Sequence, residues 1–536
     1  MMAGAALVRD WIARAARREP DKPWIFSAED GRVITYDELS GLTRQLAGFL
    51  RARRIGRNDR VALLADNSVE HLACYLGVLA YGATICTIHV EMNRPYLADL
   101  LRALGPKLVV FDPDLGLDDV LTVTPAPCFP LAASDNRGDG FFAAVRRHEA
   151  SDATAGAAAT DDAVILFTSG TTARPKGVVL SFRELLSNAA PTAAAFGMTR
   201  DDRVYDFRSF NWCSAQTLSA LPPLHCGAAL VLAKKFSRSR FFDHVGQYGA
   251  TIAAGNPTTL GMLFKDAPPA EVPSMRFVTS SSAPLAVEDW QRFEDRFRVR
   301  VTQGYGSSET GWIAAHPGES RRIGTVGQPL AYHDLRIVDG AGQVVPAGTI
   351  GAVDLGGFAD NDYRYLGDDG TVHVHCRGRI RTGDLGFLDA DGYLHLTGRE
   401  KELIIRGGVN ISPVEIDSVL MRRPEIIEVA TVGVPDALYG EEVVSYVVAR
   451  PGARIDIDEL LRYCAAALPA FKAPKRIVLS DMLPKNERGK LDRKALVGQW
   501  GRVSDGSSTN AAVIPDGSRR AVPSEPSRDP STPESG

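Results

Sequence analysis

The sequence predicts an α/β protein. It should have a large amino-terminal domain of α/β layers carrying a small β-barrel-like part, then a small, mobile α/β carboxy-terminal domain. Three observations predict this. Short apolar strand-like runs alternate with amphipathic helical stretches early in the chain, the rhythm of parallel strands joined by crossover helices. From about 336 to 396 the texture changes to short alternating runs separated by Asp339-Gly340, Asp369-Gly370 and Asp391-Gly392. Those pairs are turn chemistry, for antiparallel strands or a small barrel. After Lys401 a further α/β unit begins. At 536 residues, a chain of about 150 residues per domain would hold three or four units. The divisions expected are 1–400, 401–498 and a disordered tail over 499–536.

Each element has its own reason. Near the amino terminus Arg9, Asp10, Arg14, Arg17 and Arg18 interrupt any apolar run, so this reads as a first helix, not a signal peptide. Residues 61–64 and 108–111 read as strands. The stretch 72–90 is long, uncharged and apolar enough to invite a membrane span. Gly82, however, splits it into a helix-like half and a β-branched half, which predicts a buried helix, a glycine stop and a buried strand. Residues 164–167 form an apolar strand. Further on, Ser412-Pro413-Val414-Glu415 is a cap-plus-proline helix entry, and 428–434 and 443–448 read as strands. From about 501 the chain is Ser, Pro, Gly, Asp and Arg with little apolar content, the composition of disorder.

Composition excludes several classes. The chain is 45% hydrophobic and 24% charged, which supplies a core at this size. Lys plus Arg number 61 against 65 Asp plus Glu, a net charge of -4. No basic field is there to hold nucleic acid or an anionic membrane, and no integral membrane association is expected. The seven cysteines (74, 86, 128, 213, 226, 376, 464) are scattered without a C-x-x-C pair. That favours reduced cytoplasmic thiols over a disulfide framework or a zinc ribbon. Cys213 and Cys226 read as buried structural thiols rather than nucleophiles. His373, His375 and Cys376 lie together, but no carboxylate or further ligand spacing supports a metal cluster, and an ordinary half-exposed strand is the better reading.

The most informative stretch follows the 164–167 strand: Thr168-Ser169-Gly170-Thr171-Thr172-Ala173-Arg174-Pro175-Lys176-Gly177. Small residues let backbone N–H groups approach an anion, hydroxyls add donors, and Lys176 supplies positive charge. Those are the needs of a nucleotide's β- and γ-phosphates. A Walker A loop is excluded, because it requires Gly-Lys followed by Ser or Thr and here Lys176 precedes Gly177. A plain polar turn is the bland alternative; the length and bias of the loop argue against it.

This loop resembles the phosphate loop of the acyl-adenylate-forming enzymes: acyl-CoA synthetases, aryl-CoA ligases, luciferases and peptide-synthetase adenylation domains. The family's other motifs follow in order. Gln303-Gly304-Tyr305-Gly306-Ser307-Ser308-Glu309-Thr310 resembles its aromatic–Gly–x–Thr/Ser–Glu motif, and Thr382-Gly383-Asp384-Leu385-Gly386 its ribose-binding turn. Gly398-Arg399-Glu400-Lys401-Glu402 is similar to its hinge segment, and Gly407-Gly408-Val409-Asn410-Ile411-Ser412-Pro413 to the loop after it. Pro484-Lys485-Asn486-Glu487-Arg488-Gly489-Lys490-Leu491 is similar to its terminal catalytic-lysine motif. The likeness spans about 6–496.

The resemblance implies a role for each position. Thr168, Ser169, Gly170, Thr171, Thr172 and Lys176 would bind phosphates. Ser282, Ala283, Gln303, Gly304, Tyr305 and Gly306 would line the nucleotide, with Tyr305 stacked on adenine. Ser308 would donate to the α-phosphate. Glu309 would be the hard-oxygen ligand to Mg²⁺, which needs few protein ligands because it keeps waters and phosphate oxygens; alone, it would read as a solvated acid. Asp384 would accept the ribose hydroxyls, with Arg399 closing on the same sugar; alone, Asp384 is a turn residue. Lys490 would bridge the attacking carboxylate and the α-phosphate, although its charge-rich surroundings also suit a solvated lysine. Lys401 would be the hinge, and Gly407 and Gly408 would face the pantetheine of CoA. Asn211, Trp212 and Ser281 would line the acid pocket, Trp212 being equally at home in an aromatic core.

Some positions depart from the family. Ser281 stands where glycine is usual and would narrow the acyl channel. Arg379-Ile380-Arg381 replaces the usual Gly-Trp before the ribose turn, and 360–376 is off pattern. Ile405 stands where plant hydroxycinnamate ligases carry a lysine.

The expected activity is therefore an AMP-forming carboxylic acid–CoA ligase. Its partners would be ATP, Mg²⁺, CoA and a small carboxylic acid, at a site between the two domains. It is expected in the cytoplasm, and an oligomer is possible. Two rivals differ in kind: adenylation with delivery to a carrier protein, and a nucleotide-binding pseudoenzyme. The absence of a fused carrier module argues against the first, and intact Lys176, Glu309, Asp384 and Lys490 against the second. Which acid is activated is not written in the motifs.

Overall fold

The computed structural model describes residues 6–131, 140–167, 176–264, 272–318, 320–357, 362–485, 491–504 and 511–513. The chain divides into two compact units, the first running to Lys401 and the second starting at Glu402.

The first unit is built on two large sheets and one small one. The eight-stranded sheet runs, in spatial order, Val372–Arg377, Asp362–Leu366, Gly177–Ser181, Asp162–Phe167, Thr84–Thr87, Arg60–Leu64, Leu108–Phe111, Cys128–Pro130. Its half from Asp162–Phe167 through Cys128–Pro130 is parallel, and the other half antiparallel. The nine-stranded sheet is parallel from Pro23–Ser27 through Ala229–Leu232, Arg203–Asp206, Ile252–Ala253 and Phe277–Ser280 to Arg300–Ser307. Antiparallel strands close both of its ends.

The stretch that resembled a membrane span folds as the sequence predicts. Helix Val69–Tyr81 is buried on every side, with Ser68 accepting from the His71 N–H at its start and Gly82 ending it at φ 98°. The four residues of strand Thr84–Thr87 that follow are all buried. Helix Tyr36–Ala52, opened by a Thr35–Glu38 capping box, packs against it. Gly77 makes that approach possible, because a Cβ there would collide with the Leu46 side chain. Among the described residues no helix is long and apolar enough to cross a membrane.

The expected β-rich stretch is divided between two sheets. Asp334–Val338, Gly351–Gly356, Arg379–Leu388 and Leu394–Arg399 form a four-stranded antiparallel sheet. The hairpin Asp362–Leu366/Val372–Arg377 instead extends the eight-stranded sheet, Tyr365 opposite Val178 and Leu366 opposite Gly177. Two contacts hold it there. Arg364 pairs with Asp162 at 2.5 Å, and Leu366 packs with Phe167 and Val179. The turns at Gly370 and Gly392 use left-handed glycines as expected, at φ 80° and 79°. In the first turn the left-handed residue is Gly342, at φ 82°, not Gly340.

The second unit is a sheet around strand Gly440–Ala449, which pairs with Ile426–Asp436, Ile404–Arg406 and Arg476–Leu479. Helices Pro413–Leu420 and Ile457–Ala467 cover one face, through Ile416, Leu420, Leu460 and Leu461. On the other face Leu496 of helix Arg493–Ser504 packs with Val432, Val444 and Tyr446. Of the tail expected over 499–536, only 499–504 and 511–513 are among the described residues. That helix continues to Ser504, and Ala511–Val513 pairs antiparallel with Arg476–Val478. The physical reason is local: Leu496 and Trp500 give the helix an apolar side, and Ala511-Ala512-Val513 can extend a sheet edge.

Candidate active site

Strands Arg203–Asp206, Ile252–Ala253, Phe277–Ser280 and Arg300–Ser307 are parallel neighbours, so their carboxyl ends share one edge. In open α/β sheets that edge is where ligands bind. Here it carries Ser281–Ala283, the Gln303–Glu309 motif and the Asn211–Trp212 segment. The Gln303 amide donates to the Ala283 carbonyl at 3.4 Å, tying the first two together. Ser281 is buried, and its hydroxyl has no hydrogen-bond partner among the described residues. Ser282 is a non-glycine residue held at φ 74°, which costs about 1–2 kcal/mol. Strain of this kind is concentrated at functional sites.

Tyr305 reaches from the nine-stranded sheet to the small one. Its hydroxyl donates to Asp384 Oδ2 at 2.5 Å, and Arg399 Nε stands 2.8 Å from Asp384 Oδ1. Asp384 and Arg399 are cross-strand partners, which explains why a spacing of one hairpin brings them together. The backbone N–H of Asp384 donates to Thr382 Oγ1 at 3.1 Å. Burial, reinforced by the Asp384 charge, holds the Tyr305 phenol well above its ordinary value. The ring is only 9% exposed and packs with Ile313, Val326 and Val353. It therefore offers little open face, and its strongest contact is the one that orients Asp384. Gly304 and Gly306 have no room for side chains: a Cβ would meet Trp312 at the first and the Gly311 carbonyl at the second.

Four residues on, Glu309 is half-buried and accepts from the Tyr365 hydroxyl at 3.0 Å. Lys176 Nζ lies 5.1 Å from the centroid of the same ring. Ser308 is half-buried, while the neighbouring hydroxyls of Ser307 and Thr310 bond each other at 2.9 Å. Thr168, Ser169, Gly170, Thr171 and Thr172 lie outside the described residues, as does Lys490. His375 packs edge-on to Tyr365, and His373 Nε2 sits 2.6 Å from Thr371 Oγ1.

In the acid-pocket segment, Asn211 is buried and donates through Nδ2 to the Ala65 carbonyl at 2.9 Å. Trp212 stacks flat on His89, with centroids 5.0 Å apart and planes 8° from parallel. Cys213 is buried, which pushes its thiol up to about 12, so it is no nucleophile. Behind the segment, Arg208 pairs with Asp206 at 2.7 Å, and the Ser219 hydroxyl donates to Asp206 at 2.6 Å.

In the second unit Gly407 and Gly408 stand at φ 56° and 81° as the two central residues of the hairpin Ile404–Arg406/Val409–Ile411. This turn type requires positive φ at both positions. Lys401 lies in the short helical turn Glu400–Glu402, where the two units divide. The helix following the terminal motif is anchored by Arg493, which bonds Asp417 at 2.7 Å and the Thr431 carbonyl at 2.6 Å.

Sequence reasoning missed Tyr365 and His89. Neither stands in a motif, and each is brought to the site by pairing between distant strands or loops.

A parallel-sheet edge with a tyrosine–carboxylate–arginine cluster, a lysine and a half-buried carboxylate is the equipment of a nucleotide-dependent α/β enzyme. Comparison with known proteins agrees. Residues 12–358 match the family described as AMP-binding enzyme, and 415–490 its C-terminal domain. The chain belongs to the AMP-binding enzyme family. It is 33% identical to a sulfoacetate–CoA ligase of Cupriavidus necator, over 91% of this chain and 96% of that protein. It is 34% identical to an oxalate–CoA ligase of Arabidopsis thaliana, over 90% and 96%. The crystal structure of ATP-bound MatB from Rhodopseudomonas palustris superposes with a TM-score of 0.83 at 30% identity, covering 93% of this chain and 99% of that one.

Proposed function

We propose the following division of labour among the residues of this enzyme. The chain is an ATP-dependent acid–thiol ligase: a carboxylate attacks the α-phosphorus of ATP to give an acyl-adenylate and pyrophosphate, and the thiol of CoA then displaces AMP. Asp384, held by Tyr305 and Arg399, accepts the ribose hydroxyls through its remaining lone pairs. Gln303, Gly304, Gly306, Ser282 and Ala283 bound the nucleotide. Lys176 and the 168–172 loop take the phosphates, and Ser308 the α-phosphate. Lys490 neutralises charge as it builds at the α-phosphorus. Lys401 is the pivot between half-reactions, after which Gly407 and Gly408 line the path of the CoA thiol. Asn211, Trp212 and Ser281 bound the acid. The enzyme works in the cytoplasm.

Glu309 fits Mg²⁺. Its carboxylate is a hard-oxygen donor, oriented by one hydrogen bond, and its second oxygen has no partner among the described residues. Mg²⁺ bound there would neutralise phosphate charge.

The observation that supports this reading is the Tyr305–Asp384–Arg399 cluster, a carboxylate held in place by two donors. The test is pyrophosphate release over a panel of carboxylic acids, with and without CoA. Acid-dependent pyrophosphate, with thioester and AMP appearing only when CoA is present, is the expected result. Acid-dependent pyrophosphate without CoA turnover would point to a carrier protein as acceptor. No pyrophosphate with any acid would leave a pseudoenzyme.

Two variants test single contacts. Lys176→Ala removes a charge-assisted contact and should lower kcat/KM for ATP by about 10- to 100-fold; unchanged ATP kinetics would remove the phosphate assignment. Glu309→Gln keeps shape and loses charge, so activity should fall and require more Mg²⁺. An unaltered Mg²⁺ titration would reduce Glu309 to a surface acid.

A further inference from the structure

We propose that Tyr365 is a positioning residue for adenylation: it holds the Glu309 carboxylate for the metal that accompanies ATP and gives the Lys176 ammonium a ring face to rest on. This rests on the reading of Glu309 as the metal ligand.

Three observations converge on Tyr365. Its hydroxyl donates to Glu309 Oε1 at 3.0 Å. Lys176 Nζ sits 5.1 Å from its ring centroid, within the range of a cation–π contact. Its backbone is fixed by register, opposite Val178 and two residues beyond Lys176 on the adjacent strand. The neighbours are fixed as well, Arg364 by Asp162 and Leu366 by Phe167 and Val179. The ring itself is half-buried, with the His375 imidazole edge-on at 5.3 Å.

The chemistry follows from that placement. One hydrogen bond occupies one lone pair of one carboxylate oxygen and narrows the orientations open to the Glu309 carboxylate. The other oxygen then points in a defined direction. Partners that orient a metal ligand in this way typically contribute about 10- to 100-fold in metal affinity. The ring has a second effect. Lys176 and Glu309 carry opposite charges on flexible side chains, and both meet this one residue. The neutral ring attracts the ammonium through its face and the carboxylate through its hydroxyl, so one side chain helps to place both charges.

Tyr365→Phe and Tyr365→Leu separate the two effects, read by Mg²⁺ titration of the rate and by Mn²⁺ binding, the latter followed by electron paramagnetic resonance with α,β-methylene-ATP. Tyr365→Phe keeps the ring and loses the hydroxyl. The Mg²⁺ concentration at half-maximal rate should rise about tenfold, Mn²⁺ affinity should fall by the same factor, and the loss should vanish at saturating Mg²⁺. Tyr365→Leu should show both changes and also raise KM for ATP at saturating Mg²⁺, as Lys176 loses the ring face. Unchanged Mn²⁺ affinity in Tyr365→Phe overturns the proposal, including when the variant melts early or loses kcat. Glu309→Gln in the same assay separates the two levels. If it weakens Mn²⁺ binding and Tyr365→Phe does not, only the positioning role falls; if neither does, the metal reading falls with it.

Discussion

Replacing Lys490 with alanine should lower carboxylate-dependent pyrophosphate exchange by about 10²-fold or more, while leaving the second half-reaction nearly intact. The reason is where charge develops. In adenylation, an anionic carboxylate attacks an already anionic phosphate, and a lysine that bridges both is worth most in the transition state. In thioester formation the leaving group is AMP, the negative charge is departing, and that bridge is no longer needed. The check is a pair of assays on one preparation: exchange from acid and ATP, then thioester formation from presynthesised acyl-adenylate and CoA. Equal loss in both would mean that Lys490 holds the structure or serves both steps.

The second large effect is expected from Lys401→Pro, in the opposite sense. Lys401 lies in the short helical turn at the division between the units. Proline fixes φ near -65°, a value a helical turn accepts, and removes a backbone N–H. One backbone arrangement should therefore survive and any other requiring a different φ should be lost. The variant should release pyrophosphate close to the wild-type rate and make thioester at least 10²-fold more slowly, the acyl-adenylate accumulating on the enzyme. If pyrophosphate release and thioester formation fell together, a single fixed geometry would serve both steps.

Local signals made much of this molecule legible. Gly82 marked the end of a buried helix because a left-handed stop needs glycine, and it stands at φ 98°. Asp384 and Arg399 were both recognisable from their motifs, and a hairpin makes them a cross-strand pair. Gly407-Gly408 was visible through its motif, and the tight turn it makes emerged only from the structure. Tyr365 was not legible. It stands 56 positions from Glu309, and nothing local says that its hairpin joins the eight-stranded sheet instead of the small one. His89 was hidden in the same way, since its stacking on Trp212 depends on two loops meeting. The stacking role expected of Tyr305 came from its motif, whereas its burial depends on packing with Val326 and Val353 from other elements.

The tie between Tyr305 and Asp384 has a thermodynamic consequence. One residue belongs to the nine-stranded sheet and the other to the small antiparallel sheet, and around them Ile313 and Ala314 pack against Ile337, Val353 and Leu394. A nucleotide bound as proposed, with its ribose on Asp384, would engage the seam between two sheets and would bind tightly only while that seam is closed. By linkage, every increment of binding is an increment of adhesion between them: about 2.7 kcal/mol when free ligand stands at a hundred times its Kd. On that proposal, opening of the small sheet and release of nucleotide are one equilibrium viewed from two sides. Backbone hydrogen exchange along Arg379–Leu388 should slow in proportion to site occupancy, which makes the strand a built-in gauge of whether the enzyme is loaded.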